Sequence, residues 1–294
     1  MAVLTRRRLL QVAAGVAATG ALALGEDATI LEPNRPTLVA MELALARLPA
    51  AFDGFTIAHL SDFHYDEHFS VVPLRAAIEM INHLHPDLVV LTGDFVTVPT
   101  FHRRFHSAKR AASVAEPCAS LLAQLRPRLG MVSILGNHDV ESDAPRIIEI
   151  LQSHGLPVLR NRSIPIEQGG ARIWLCGLDS VWEGNPDMDL ALHGVPSDEP
   201  VVLLVHEPDF ADEAAHYPVD LQLSGHSHGG QVWLPGVGAP WLPPFARRYP
   251  RGLYRIGPLT LYTNLGLGTI RLPIRLNCPP ELTLFTLRTA RSRT

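Results

Sequence analysis

Cysteine is scarce in this 294-residue chain: Cys118, Cys176 and Cys278 are its only thiols, and no two stand in a Cys-x-x-Cys spacing. That excludes a disulfide framework and a thiolate zinc site and leaves three ordinary buried thiols. A basic surplus is also missing. The net charge is −4 with histidines neutral, so there is no general electrostatic footprint for nucleic acid, and no specific nucleic-acid binding is expected. Internal repeats and low-complexity linkers are absent too, and the 25 prolines and 22 glycines are spread as turn punctuation. With 47% hydrophobic residues, the chain can bury the core of one α/β domain.

Among long hydrophobic runs there is one of note. Val12 to Leu24 carries no charge, follows Thr5-Arg6-Arg7-Arg8-Leu9-Leu10-Gln11 and ends at Glu26-Asp27. A basic start, an apolar middle and a polar boundary form the pattern of an export signal. The paired arginines before Leu-Leu-Gln resemble a bacterial twin-arginine signal, whose cargo crosses the membrane already folded. The twin-arginine export machinery is therefore an expected partner, and a periplasmic or inner-membrane-associated location is expected. Ala21-Leu22-Ala23 offers a small-x-small cleavage site, and a retained anchor is the alternative, although the run is short of the roughly 20 residues of a spanning helix. This divides the chain into a signal segment, 1–25, and a folded domain, 26–294.

What the chain does have is a series of β-rich stretches that end in metal-competent side chains. Phe55 to Ser61 leads to Asp62-Phe63-His64, and the apolar Asp87 to Thr92 stops at Gly93-Asp94. Met131 to Leu135 stops at Gly136-Asn137-His138-Asp139, Val201 to Val205 delivers His206, and Leu221-Gln222-Leu223 delivers Ser224-Gly225-His226-Ser227-His228-Gly229-Gly230. In an extended segment residues i and i+2 face one side, which predicts that Asp62 pairs with His64 and His226 with His228. Flanking glycines are expected to let the chain turn. One Asp or His at a strand end ordinarily caps the strand or satisfies a core group. Five ends on one sheet edge would instead converge on a ligand site. Helices are expected from Pro73 to Leu84, near Val114 to Leu125, and from Pro145 to His154. Strands of a second sheet are expected at Val158-Leu159, Ser163 to Glu167 and Arg172 to Cys176, with further strands at Gln231 to Leu234, Gly252 to Ile256, Leu259 to Thr263 and Leu282 to Leu287.

Asp-x-His, Gly-Asp, Gly-Asn-His-Asp, a lone His and Gly-His-Ser-His, in this order, resemble the calcineurin-like metallophosphoesterase superfamily. Gly229-Gly230-Gln231, Asn264 to Gly268, and Ile274-Arg275 before Pro279-Pro280-Glu281 are similar to its exported or membrane-anchored bacterial phosphodiesterases, among them enzymes resembling UDP-2,3-diacylglucosamine pyrophosphatases. The resemblance implies an α/β four-layer sandwich, two mixed β-sheets flanked by helices. It also implies two divalent metal ions, with Asp62, His64 and His228 holding one, Asn137, His206 and His226 the other, and Asp94 bridging. Such a pair attracts phosphate and activates water for in-line attack. His138 would be the catalytic group that steadies the transition state or protonates the leaving oxygen. Imidazole, carboxylate and amide donors suit Mn, Fe, Zn or Co, and loading before export would let the cytoplasm choose the metal.

The phosphoprotein phosphatases of the superfamily carry an Asp-Arg pair soon after Gly-Asp, and Gly93-Asp94-Phe95-Val96-Thr97-Val98 has neither residue. That disfavours a phosphoserine phosphatase and leaves the partner of His138 open. Val237 to Arg248, with Trp241, Phe245, Arg247 and Arg248, and the basic stretch Phe101 to His106 are candidate rims for a lipid-linked phosphodiester or a membrane surface. A phosphomonoesterase or nucleotidase is the second enzymatic reading. A non-catalytic metal-binding envelope protein is the third.

Overall fold

A computed structural model describes residues 5–98 and 111–290. The basic stretch Phe101 to His106 lies outside them. One sheet has the order β1-β11-β2-β3-β4, and the second has the order β5-β6-β7-β8-β10-β9. In the first, β1 (Thr37–Leu45) runs parallel to β11 (Glu281–Thr289), β11 is antiparallel to β2 (Thr56–Leu60), and β2, β3 (Leu88–Leu91) and β4 (Met131–Ser133) are parallel. In the second, β6 (Ala171–Gly177), β7 (Val201–Leu204), β8 (Leu221–Ser224) and β10 (Leu259–Thr263) run parallel. The edge strands β5 (Arg162–Gln168) and β9 (Gly252–Ile256) are antiparallel to their neighbours.

Leu88-Val89-Val90-Leu91 and Val201-Val202-Leu203-Leu204 are buried at every position, as uninterrupted apolar strands covered on both faces should be. Three apolar layers provide that cover. Phe55, Ile57, Val90 and Ile134 meet Leu175, Val202, Leu204, Leu223 and Tyr262 between the sheets. Outside the first sheet, Val89 and Leu91 pack with Ile78, Ile81, Leu122, Ile147 and Leu151 from three helices, Val71–Leu84, Ala115–Leu122 and Asn137–Ser153. Outside the second, Leu203, Val205 and Leu261 pack with Ala191, Ala211 and Ala214. The molecule is the expected α/β four-layer sandwich of two mixed sheets flanked by helices.

Local differences from the expected elements have identifiable causes. Val158 bridges Ser133 and so borders the first sheet, not the second, because the Ser133 N–H bonds to the Pro157 carbonyl and the Leu159 N–H to that of Ser133. Gln231 to Leu234 forms no strand: Gln231 has φ 58°, and only isolated bridges Val232 to Leu276 and Leu234 to Gly238 remain. The helix expected to open at Pro145 starts at Asn137 and breaks at Asp143 (φ −159°, ψ 77°), so Pro145 opens its second half.

Arg6–Glu26 is a 21-residue helix with no buried residue. With its short continuation to Asn34 it is long and apolar enough to cross a membrane by length and composition. The body of the fold begins just after it. Ala28 and Pro33 are buried, the Ala28 carbonyl accepts from the Arg275 N–H at 2.9 Å, and Glu32 accepts from the backbone N–H groups of Asn277 (3.0 Å) and Cys278 (2.5 Å).

Candidate metal centre

Parallel strands deliver their C-terminal ends to one edge, and the two stacked sheets bring their edges together. Asp62 and His64 follow β2, Asp94 follows β3, His206 follows β7, and His226 and His228 follow β8. Asn137 and His138 open the helix capped by Gly136, just beyond β4. Three overlapping groups form, Asp62 with His64 and His228, His64 with Asp94 and His138, and Asp94 with His206 and His226, each with donor atoms within 4.8 Å.

The pairs converge by a route other than strand alternation. Asp62 (φ 52°), His64 (39°), Asp94 (55°), His226 (69°) and His228 (50°) all occupy the left-handed region. Each such non-glycine residue costs on the order of 1 kcal/mol or more, and strain of this kind persists where surrounding structure enforces it. Here the enforcement is visible. The N–H groups of Asp62 and His64 bond to the carbonyls of Gly93 and Asp94 at 3.0 and 2.9 Å, and the His226 N–H donates to both Asp62 carboxylate oxygens at 2.9 and 3.0 Å. The glycines serve space more than turning at two positions. A Cβ on Gly225 would lie 1.8 Å from Ser61 Oγ and 2.2 Å from Asp62 Oδ2, and one on Gly136 would lie 2.2 Å from Asp94 Oδ1.

Each of three imidazoles is anchored through one nitrogen and offers the other. His64 Nδ1 contacts the Thr97 hydroxyl (2.8 Å), His206 Nδ1 donates to the Thr92 carbonyl (2.6 Å) and His226 Nε2 donates to the Pro244 carbonyl (2.8 Å). Anchoring of this kind fixes tautomer and ring angle at metal sites. The opposite atoms, His64 Nε2, His206 Nε2 and His226 Nδ1, together with His228 Nδ1 and Asn137 Oδ1, are buried without a hydrogen-bond partner among the described residues. Orphaned buried donors and acceptors are rare and costly. Asp94 Oδ2 stands 3.3 Å from His64 Nε2 and 3.1 Å from His206 Nε2, and Asp62 Oδ1 stands 3.4 Å from His228 Nε2. Donors bound at about 2.1 Å to one cation are separated by about 3.0 to 3.4 Å, so these residues fit divalent metal.

The electrostatics agree. Burial alone would raise Asp94, but the charges of His206 and His138 and the close approach of the His206 and His64 rings hold its carboxyl well below the usual range. Burial alone would depress His206, and the nearby charge of Asp94, helped by Asp62, overrides it and raises the imidazole well above its ordinary value. The pair thus attracts a proton where a cation would sit. His226 and His228 are pushed down by burial and by neighbouring imidazoles, which favours the neutral form that binds metal.

His138 lines a cleft of about 370 Å³ beside this cluster. The adjacent Asp139 does not orient it. That carboxylate turns inward to accept from the N–H groups of Phe95, Val96 and Gly136, and burial followed by the charge of Asp94 raises it to about 7. The Val98 N–H donates to His138 Nδ1 at 3.1 Å instead, which leaves Nε2 to carry the hydrogen of the neutral ring. Burial lowers His138 to about 4, so the neutral ring is the ordinary one.

The apolar wall of the cleft includes Trp182, Trp241, Pro243, Ile270 and Leu272. Trp241 and Pro243 come from the expected rim, and the exposed Phe245 ring lies 6.5 Å from that of Trp182. Arg247 and Arg248 are not among the lining residues. Arg248 pairs with Asp212, and the backbone N–H groups of both bind Asp209. Among the described residues the cation lining the cleft is Arg271, which the sequence reading missed, as it missed Trp182. Trp182 had a signal, since it follows β6 on the same sheet edge, where Glu207 accepts from its backbone N–H at 3.3 Å. Arg271 had none.

Comparison with known proteins follows the same lines. A family profile described as calcineurin-like phosphoesterase matches residues 55–230. The metallophosphoesterase YkuE of Bacillus subtilis (strain 168) is 35% identical over 290 residues, covering 97% of this chain and 98% of that protein. The phosphodiesterase YaeI of Escherichia coli (strain K12) is 32% identical, covering 97% and 99%. A transmembrane protein with metallophosphoesterase domain from Bos taurus is 31% identical over 97% of this chain and 64% of its own length.

Proposed function

The chain belongs to the calcineurin-like phosphoesterase family, hydrolases of phosphoester bonds, and we propose that it is an exported two-metal phosphodiesterase acting on a lipid-linked or other envelope phosphodiester. The observation that carries the reading is the gathering of Asp62, His64, Asp94, His206, His226 and His228 into three overlapping donor groups, with His64 Nε2, His206 Nε2 and His226 Nδ1 buried and without a hydrogen-bond partner among the described residues. Asp62, His64 and His228 would hold one ion and Asn137, His206 and His226 the other, with Asp94 shared. Mn, Fe, Zn or Co suits this donor set. When bound, two divalent cations supply the charge that draws in a phosphodiester and activates water.

The protein's own groups do the rest. Asp94 is oriented by the His138 backbone N–H on Oδ1 at 2.9 Å, which frees Oδ2 for the cluster. His138, with Nδ1 held by Val98, offers Nε2–H to a phosphoryl or leaving oxygen. The neutral ring acts by hydrogen-bonding to developing charge. Trp182, Trp241 and Leu272 line one side of the cleft and give an apolar leaving group a surface.

Residues 1–25 are read as the twin-arginine-type signal and 26–294 as the catalytic domain. The exposed helix and the apolar cleft wall together favour a lipid-linked diester over a free nucleotide. The test uses full-length protein loaded with Mn. Bis(p-nitrophenyl) phosphate should be hydrolysed faster than p-nitrophenyl phosphate, and EDTA should abolish turnover. Trp241→Ala should lower kcat/KM for a lipid-linked diester by a larger factor than for bis(p-nitrophenyl) phosphate. Preference for the monoester would favour a nucleotidase, and equal losses would remove the lipid assignment.

A further inference from the structure

Beside the metal cluster, one loop has an unusual backbone and an uncommitted charge. Arg271 has φ 65°, and the Leu272 N–H bonds to the Ile270 carbonyl at 2.7 Å, closing a three-residue turn with a non-glycine residue in its left-handed centre. Turns of this γ kind are rare and strained. The side chain of Gln231 holds this one in place. Its Oε1 accepts from the Ile270 N–H at 2.5 Å, and its Nε2 donates to the carbonyls of Ile270 and Leu272 at 3.2 and 3.3 Å. Gln231 stands three residues after His228, so the loop is tied to the metal-binding turn.

The turn projects Arg271 over Trp241, with its guanidinium carbon 4.4 Å from the ring centroid. Both residues line the cleft that holds Asp94, His138, His226 and His228. Stacking on an indole positions a guanidinium without using its N–H donors. No hydrogen bond or ion pair among the described residues occupies them. Among the described residues, the acidic groups lining the same cleft are Asp94, Glu141 on the kinked helix and Glu183 beside Trp182.

We propose that Arg271, laid on Trp241 and held by Gln231, is a second anion subsite of this cleft that takes a phosphoryl group next to the scissile one. The assignment deepens the phosphodiesterase reading and rests on it. A planar fork of donors matches two phosphoryl oxygens at once, and a charge-assisted pair of this type is about twice as strong as a neutral one.

The experiment measures inhibition of bis(p-nitrophenyl) phosphate hydrolysis by AMP and by α,β-methylene-ADP, using Mn-loaded full-length protein. The ratio of the two inhibition constants reads the second phosphoryl group and is independent of basal rate. In the wild type, the two-phosphoryl compound should bind about tenfold tighter than AMP, the gain of one charge-assisted contact. Arg271→Met should bring the ratio to about 1 to 2, and Arg271→Lys should fall between, because an ammonium restores charge without the fork. Arg271→Gly removes the cation and relieves the strained turn, so it folds even if the Met variant does not, and it should match Met. A ratio unchanged in the Met and Gly variants, or no preference in the wild type, overturns the subsite. A wild type that cleaves no diester refutes the phosphodiesterase reading instead, and calorimetric titration of both nucleotides into the Mn-loaded protein then decides the fate of Arg271.

Discussion

Replacement of Arg275 by methionine should damage both the fold and one side of the metal centre. Arg275 is fully buried and forms no ion pair with a carboxylate among the described residues. Its guanidinium donates to the carbonyls of Cys278 (2.9 Å), Leu265 (3.1 Å), Gly266 (3.0 Å) and Gly268 (2.5 Å). A thioether satisfies none of the four, and each buried carbonyl left without a donor costs about 1 to 3 kcal/mol, reduced where water can enter. The expected loss is about 3 to 5 kcal/mol of unfolding free energy, comparable to removing one partner from a buried ionic interaction. The second effect follows from what the loop supports. Leu267 and Gly268 donate their N–H groups to the carbonyls of Ser61 (3.0 Å) and Asp62 (2.7 Å), and a Cβ on Gly266 would lie 2.6 Å from the Asp62 Cβ. Loosening this loop frees the backbone of Asp62, and loss of such outer support typically weakens metal binding by about 10- to 100-fold. Urea unfolding of EDTA-treated protein measures the first effect, and Mn titration with elemental analysis measures the second. The weakened equivalent should be the one assigned to Asp62, His64 and His228. Arg275→Lys should lie between wild type and methionine. A stability change under about 1 kcal/mol together with two wild-type binding steps would refute the reasoning.

Three further outcomes follow from the same geometry. Gly225→Ala places a methyl against Ser61 Oγ and Asp62 Oδ2, so purified protein should lose about one Mn equivalent by elemental analysis, and full retention would mean that the β8 turn can shift. Glu32→Ala removes the acceptor of two backbone N–H groups beside Arg275 and should cost about 1 to 3 kcal/mol in urea unfolding; no change would show that residues 27–34 are not part of the folded body. His59, buried against the Thr92 hydroxyl at 2.8 Å, is depressed by burial to about 3. The unfolded chain therefore takes up a proton near pH 6.5 that the folded state refuses, and stability is lost as pH falls from there toward 3. At pH 5 the loss is about 2 kcal/mol, and His59→Gln should flatten that part of the urea-midpoint profile of metal-free protein.

Much of the site was legible because the chemistry is local to strand ends. Asp62, His64, Asp94, Asn137, His138, His206, His226 and His228 each terminate or follow an apolar run, and parallel strands carry such ends to one edge. The reason given for their pairing was less apt. Alternation along an extended chain does not aim His226 and His228 together; a left-handed backbone at both does, and that depends on contacts from Asp62 and from the neighbouring loops. Val158 bridges the first sheet and Gln231 forms no strand for the same kind of reason, since partners distant in sequence decide both.

Composition, the burial period of each strand and the residue types at strand ends are properties of short segments, and from these the α/β class and the metal-competent groups could be read directly, while the layer arrangement and the division of the ligands between two ions came from the family resemblance. Other features depend on hydrogen bonds that leave the local segment. Gln231 bends the loop that presents Arg271, Val98 rather than Asp139 holds His138, and Arg275 with Glu32 ties the segment after the apolar helix to the backing of Asp62. Each is a small set of hydrogen bonds that leaves no periodicity in the chain, so only the tertiary structure could decide it.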